Sequence, residues 1–277
     1  MRRALVASLA LGWVCALPVA ARDSVGAAGD VDDARLAPAT EALRRGDRAQ
    51  AIAQLTPLAE QGLPEAQYRL ALALESAPPG ERDQAAAAGW YRRAADAGHA
   101  AAQNNLGAMY VDGRGVARDP AAALRWYRAA AESGFAQAQY NLALMLGTGR
   151  GAARDPQAMA RWLQRAADQG LARAQAQLGR LYLDGEGVAP NALLAAQWFE
   201  RAARQGDDWG QYYYGALLQK GLGVRRDLTA AHDWLLKSAN NGNTTAMHAL
   251  ATVYRLGLGV PASAEKAAQW KARAAQR

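Results

Sequence analysis

AAAQNNLGAMYVDGRGVARDPAAALRWYRAAAESG, residues 100–134, holds two apolar patterns of helical period on either side of a Gly-x-Gly. Ala102, Leu106, Met109 and Tyr110 recur on one face, and Ala123, Trp126, Tyr127 and Ala130 form a second stripe. The pattern predicts a helix, a turn and another helix. Gly113 and Gly115 break the first helix. Asp119 is placed to cap the second, its side-chain oxygen accepting an orphan backbone N–H. Pro120 follows at the first helical position, where a missing N–H costs nothing. Gly134 suits the helix end, where the chain takes a positive φ. A Gly-x-Gly in a dinucleotide loop would follow a strand and open a helix carrying a third glycine. No strand pattern precedes Gly113, so the pair reads as a turn between helices and not as a phosphate cradle.

The unit recurs. Trp90, Trp126, Trp162, Trp198, Trp234 and Trp270 are each 36 residues apart, as are Gly62, Gly98, Gly134, Gly170, Gly206 and Gly242. The glycine pairs 113/115, 149/151, 185/187, 221/223 and 257/259 keep the same register. Six copies therefore run from residue 63 to 277 without insertion. The cap position reads Asp83, Asp119, Asp155, Asn191, Asp227 and Ser263. The position of Gly107 is always Ala or Gly, which lets a neighbouring helix approach closely. The position of Leu106 (Leu70, Leu106, Leu142, Leu178, Tyr214, Leu250) is expected in the core. So are the six tryptophans. A fixed period of this length signals stacked supersecondary units sharing one continuous core.

A unit reading A-x-x-x-L-G-x-x-Y-x-x-G-x-G-V-x-x-D, then A-x-x-W-Y-x-x-A-A-x-x-G, resembles the Sel1-like repeat, a relative of the tetratricopeptide repeat. The resemblance implies an all-α, right-handed superhelical solenoid. It also implies an adaptor for other proteins, in bacteria often an exported factor in envelope signalling, secretion or host interaction. Two copies depart from the pattern: Glu75-Ser76-Ala77-Pro78-Pro79-Gly80 replaces the glycine loop of the first, and the fifth has Gly210 for alanine and Tyr214 for leucine. Some secreted members carry a disulfide in each repeat, and beta-lactam binding or hydrolysis has been ascribed to them. This chain lacks those cysteines, its one cysteine being Cys15. An envelope enzyme, or a binder of cell-wall or beta-lactam ligands, is the competing reading.

Ahead of the repeats, residues 1–21 read as a signal peptide: a basic MRR, an apolar run from Ala4 to Leu17, and Val19-Ala20-Ala21 before Arg22. The apolar run is shorter than the roughly 20 residues a membrane-spanning helix needs. Removal of Arg2 and Arg3 lowers the formal charge from +7 to +5, scattered along the chain, and no nucleic-acid arm is evident. Residues 22–39, rich in Ala, Gly and Asp, read as a flexible linker. Residues 40–62 read as an N-terminal capping helical hairpin. The mature protein is expected in the periplasm or secreted, without membrane insertion.

In such an array the first helix of each pair lines the inner surface. At 100° per residue from Leu106, positions 101, 104 and 108 point away from the core. Read down the copies they bring Tyr68, Asn104, Tyr140, Tyr212 and His248, with Trp209, Leu144 and Arg180, to a groove suited to a segment of a partner protein. Exposed aromatic anchors are what peptide recognition uses. Gln103, Gln139 and Gln175 are expected as further polar contributors. No catalytic residue, metal site or cofactor is indicated. His99, His232 and His248 lie at unrelated registers, no serine has a nucleophile-elbow setting, and Asp112, Asp184 and Glu186 read as loop charges beside arginines.

Overall fold

A computed structural model describes residues 29–78, 80 and 82–276. The expected signal peptide, and residues 22–28 of the expected linker, lie outside them. The described residues form fourteen helices and no strand. Two precede the repeats: α1 (Gly29–Arg44) and α2 (Arg48–Glu60). The six copies then supply α3 (Pro64–Glu75) with α4 (Gln84–Asp96), α5 (Ala100–Asp112) with α6 (Pro120–Glu132), and α7 (Ala136–Thr148) with α8 (Pro156–Asp168). They continue with α9 (Ala172–Asp184) and α10 (Ala192–Arg204), α11 (Asp208–Lys220) and α12 (Leu228–Asn240), and α13 (Thr244–Leu256) and α14 (Ala264–Ala275). Each helix packs on the next, and α9 also touches α11 directly. The chain is an all-α solenoid.

Local chemistry sets each boundary. Asp83, Asp119, Asp155, Asn191, Asp227 and Ser263 each accept a backbone N–H in the first turn of a second helix. The two glycines of the turn have different tasks. Gly113 ends α5 in the left-handed region at φ +73°, its N–H returning to Met109. Gly115, at φ +65°, lies against the preceding unit: a Cβ there would stand 2.0 Å from the carbonyl oxygen of Gln84, the first residue of α4. Gly151, Gly187, Gly223 and Gly259 meet the carbonyls of Pro120, Pro156, Ala192 and Leu228 in the same way. The second glycine thus lets one repeat seat on the last.

The small column acts similarly inside the unit. A Cβ on Gly107 would stand 2.9 Å from the Tyr127 ring, and one on Gly179 2.9 Å from Phe199. Tyr91, Tyr127, Leu163, Phe199 and Leu235 fill the core between the paired helices, with Leu70, Leu106, Leu142, Leu178 and Leu250. Tyr214, the fifth member of the leucine column, is only half-buried, edge-on to Trp234 at 5.8 Å.

Two expectations are corrected. The tryptophans are not sunk in the core: only Trp198 is buried, and the other five are half-exposed. Five carry a cation from the next turn of their own helix. Arg93 lies 4.4 Å from the Trp90 ring, Arg165 4.5 Å from Trp162, Arg201 4.5 Å from Trp198, Lys237 4.1 Å from Trp234 and Arg273 5.0 Å from Trp270. Such stacks let an indole stay partly wet at little loss. The second correction concerns the expected linker, since residues 29–39 belong to α1. Leu36, Ala39 and Ala42 are buried at helical spacing, and Leu36 and Ala39 pack with Leu55, Ala59, Ala66 and Leu70. The hairpin in front of the repeats is therefore longer than residues 40–62, and it covers the apolar face of α3.

Candidate binding groove

The first helices α3, α5, α7, α9, α11 and α13 carry the expected groove residues, and α9 and α11 are in direct contact with each other. The first two expected residues are not free. Tyr68 is 6% exposed, stacked on His99 with ring centroids 4.6 Å apart. His99 Nε2 in turn lies 2.8 Å from Glu65, while its Nδ1 caps α5 by accepting from Ala102. Burial raises the Glu65 pKa, but hydrogen bonds from His99 and Arg69 outweigh it and hold the carboxyl below its ordinary range. Asn104 is 5% exposed. It donates to Asn105 Oδ1 (3.2 Å) and accepts from Asn141 (2.9 Å), which accepts from Gln137 (3.3 Å). Asn105 continues to the Tyr91 hydroxyl, and Tyr91 to Glu75, which pairs with Arg114. This half of the face is a closed polar network.

The glutamines are corrected too. Gln103, Gln139 and Gln175 are buried, each Nε2 donating to a backbone carbonyl at the end of the preceding helix: Ala95 (3.0 Å), Ala131 (3.1 Å) and Ala167 (3.1 Å). Gln67 and Gln211 repeat the bond to Ala59 and Ala203. These side chains tie one repeat to the next and are not presented to a ligand.

The second half of the face is different. Tyr140 on α7 is half-buried, its pKa raised by burial against the pull of Arg173 and of Gln177 on α9. Gln177 also accepts from Arg180 at 3.3 Å, and Arg180 holds Asp184 only loosely, at 3.9 Å. On α11, Trp209 meets Tyr212 edge-on (6.0 Å, 89°) and Tyr213 at 5.9 Å; Tyr212 and Tyr213 are 5.1 Å apart. Tyr213 stacks on the buried Phe199 at 4.8 Å, which anchors the cluster to the core. Trp209, Tyr212, Tyr213, Leu144 and Arg180 all remain partly exposed, and Arg173 is more exposed than any of them. Asp207, the N-cap of α11, accepts from Gly210 at 2.7 Å. Burial, reinforced by Asp208, pushes its carboxyl up to about 6 against the pull of the cap bond and Arg173.

Of the residues expected from sequence, Tyr140, Leu144, Arg180, Trp209 and Tyr212 thus share three successive first helices. Tyr68 and Asn104 are withdrawn, and His248 is exposed one repeat further on, on α13. Tyr213 and Gln177 were missed. They sit on the flank of the helical projection, about 100° from the core direction. Among the described residues no three His, Cys, Asp or Glu side chains converge as a metal site, and no helix is long and apolar enough to cross a membrane.

Residues 64–99, 100–135, 136–171, 172–207, 210–243 and 244–277 each match the Sel1 repeat family. The fold superposes on a Sel1 repeat protein from Oxalobacter formigenes with a TM-score of 0.79 at 32% identity, covering 88% of this chain and 97% of that one. It superposes equally on c5321, a protective antigen of uropathogenic Escherichia coli strains with an SLR fold, with a TM-score of 0.80 at 33% identity. That match covers 88% of this chain and 53% of c5321, so the chain spans about half the length of that protein. None of the curated proteins matches.

Proposed function

The chain belongs to the Sel1 repeat family, and we propose that it is an exported scaffold that captures a segment of a partner protein on the face formed by α7, α9 and α11. Sel1 repeat proteins mediate protein–protein interactions; the export, the face and the mode of capture are this reading's own. The observation that carries it is the cluster of Trp209, Tyr212 and Tyr213. The three rings contact one another, Tyr213 anchors them on Phe199, and all three stay partly exposed. Rigid aromatic side chains lose little entropy on binding and dominate interface energies, a few such residues each contributing about 2 kcal/mol or more. Arg173 and Arg180 flank the rings and supply polar contacts. The basic and apolar pattern of residues 1–21 supports export.

Site-specific photocrosslinking in the native host tests the face. A photoreactive residue at Tyr212 or Tyr140 is expected to give discrete adducts with a partner, and one at the exposed Arg161 on α8 none. Trp209→Ala with Tyr212→Ala is expected to abolish capture with unchanged helical circular dichroism. Adducts from Arg161 alone, or capture surviving the double substitution, would reject the face.

A further inference from the structure

At the last repeat, residues of α12, α13 and α14 border an open cavity of about 310 Å³, lined by Leu236, Tyr254 and Trp270 and by the exposed side chains of Lys266, Gln269 and Arg273. Lys266 and Arg273 are seven residues apart on α14, two helical turns, and so share a face. The Lys266 ammonium stands 5.4 Å from the centre of the Tyr254 ring, and the Arg273 guanidinium 5.0 Å from that of Trp270. Arg273 also donates to Asn240 at 3.2 Å. Among the described residues neither cation has a carboxylate within ion-pair distance.

The other copies show what the repeat itself requires. Arg273 belongs to the ladder of cations stacked on tryptophan, but Lys266 does not belong to any ladder. The equivalent positions are Ala86, Ala122, Ala158, Leu194 and Ala230. Lys266 is the third residue of α14, within the first turn, where the helix dipole is positive and a cation is disfavoured. A lysine placed against the dipole, without a carboxylate partner, on the rim of a cavity that holds a second cation, is explained by an anion that both can reach. The cavity wall is fixed. His232 lies 3.0 Å from Asp233 through Nδ1 and 3.0 Å from the Tyr254 hydroxyl through Nε2. With Nδ1–H donating to Asp233, Nε2 accepts the phenolic proton. In that tautomer the phenolic proton is held inside the protein, so the polar side chains on the cavity rim are Lys266, Arg273 and Gln269, whose Nε2 donates to Glu265 at 3.1 Å.

We propose that this cavity binds a small organic oxyanion, a carboxylate or a phosphate ester on an aromatic or apolar body. The oxyanion lies between Lys266 and Arg273, where charge-assisted hydrogen bonds are strongest. The body rests on Leu236 and the Trp270 ring. The volume is at the lower end of the roughly 300–1,000 Å³ typical of ligand sites, which suits a small molecule and not a polymer.

The test uses the purified chain at low ionic strength, titrated with benzoate, phenyl phosphate and inorganic phosphate. Binding is followed by calorimetry and by the indole N–H resonance of Trp270. Benzoate or phenyl phosphate is expected to shift that resonance saturably, and the tighter of the two names the oxyanion. Lys266→Gln is expected to weaken binding at least tenfold, with circular dichroism and melting temperature unchanged. Arg165→Ala, which removes the matching cation beside Trp162, is expected to leave binding intact. The proposal is overturned if neither organic anion shifts Trp270, if Lys266→Gln binds as the parent does, or if inorganic phosphate binds as tightly as phenyl phosphate.

Discussion

Ser133→Gln is expected to stabilise the protein, and the repeat itself supplies the reason. Gln139, Gln175 and Gln211 use both ends of the side-chain amide. Each Nε2 donates to the preceding helix, and each Oε1 accepts from the residue 30 positions on: Gln169 (2.8 Å), Gln205 (2.8 Å) and Asn241 (3.1 Å). At the equivalent positions for Gln67 and Gln103 stand Ala97 and Ser133, and there the Oε1 atoms are buried without a protein partner. The backbone at Ser133 (φ −74°, ψ −1°) matches that at Gln169 (φ −77°, ψ 1°), so a glutamine enters without strain. A buried, unsatisfied carbonyl costs about 1–3 kcal/mol. Against this stand the lost bond from Ser133 Oγ to Ala130 (2.8 Å) and about 1–2 kcal/mol of glutamine rotamer entropy. A fully buried oxygen carries the top of that penalty, about 3 kcal/mol, which exceeds the two losses, so the net gain is at most about 1 kcal/mol, a rise in Tm of no more than about 2–4 °C for a chain of this size. Thermal and urea unfolding read it directly, and a Gln103→Met background isolates the cause, because Met247 already occupies that column in the sixth repeat and is buried there. The gain should vanish in that background. An equal gain there, or none in the parent, would refute the bond as the source.

Two further predictions concern the frame around the groove. Asp207 is an acid whose folded pKa is raised from 3.8 to about 6, so the folded state holds its proton more tightly than the unfolded one and stability falls as pH rises between those values. Asn caps a helix as well as Asp; Asp207→Asn should therefore gain about 1–3 kcal/mol at pH 7.5 and nothing near pH 4, as measured by urea unfolding across pH. Gly113→Ala meets only left-handed strain, about 1–2 kcal/mol, with its nearest neighbour the Arg118 Cβ at 3.4 Å. Gly115→Ala adds a collision with the Gln84 carbonyl and should cost at least twice as much, so equal losses in urea unfolding would mean that repeat stacking does not depend on that contact.

Much of the fold could be read from the sequence because its determinants are local and repeated: caps, turn glycines and the Leu106 and Gly107 columns all depend on neighbours within one unit. The tryptophans misled because size was taken for burial. The core position is the next residue, where Tyr127, Leu163 and Phe199 are all buried, while five of the six tryptophans lie beside a cation of their own helix and all but Trp198 stay partly exposed. The helix in residues 29–39 was hidden by composition: alanine and glycine suggested a linker, although Leu36, Ala39 and Ala42 already had helical spacing. For the groove, a helical projection gives a direction but not what covers it. Tyr68 points as Tyr140 does, yet His99 of the following repeat lies across it.

A repeat offers a better criterion than direction. A residue that serves the stack must recur wherever the stack recurs, so glutamine in five of six copies at the Gln103 position marks a structural bond, and the buried amides follow. A residue that serves a ligand is free to break the pattern. The Trp209 position reads Glu65, Ala101, Gln137, Arg173, Trp209 and Thr245, and the Tyr213 position Arg69, Asn105, Asn141, Gln177, Tyr213 and Ala249. Neither column has a residue the stack demands, and both concentrate their aromatic members in the fifth repeat, where the rings brace one another and stay half-exposed. The same criterion separates Lys266 from the alanines and leucine above it. Recognition in this chain should therefore be sought where a column stops repeating, and substitutions there should alter binding while leaving the unfolding transition in place.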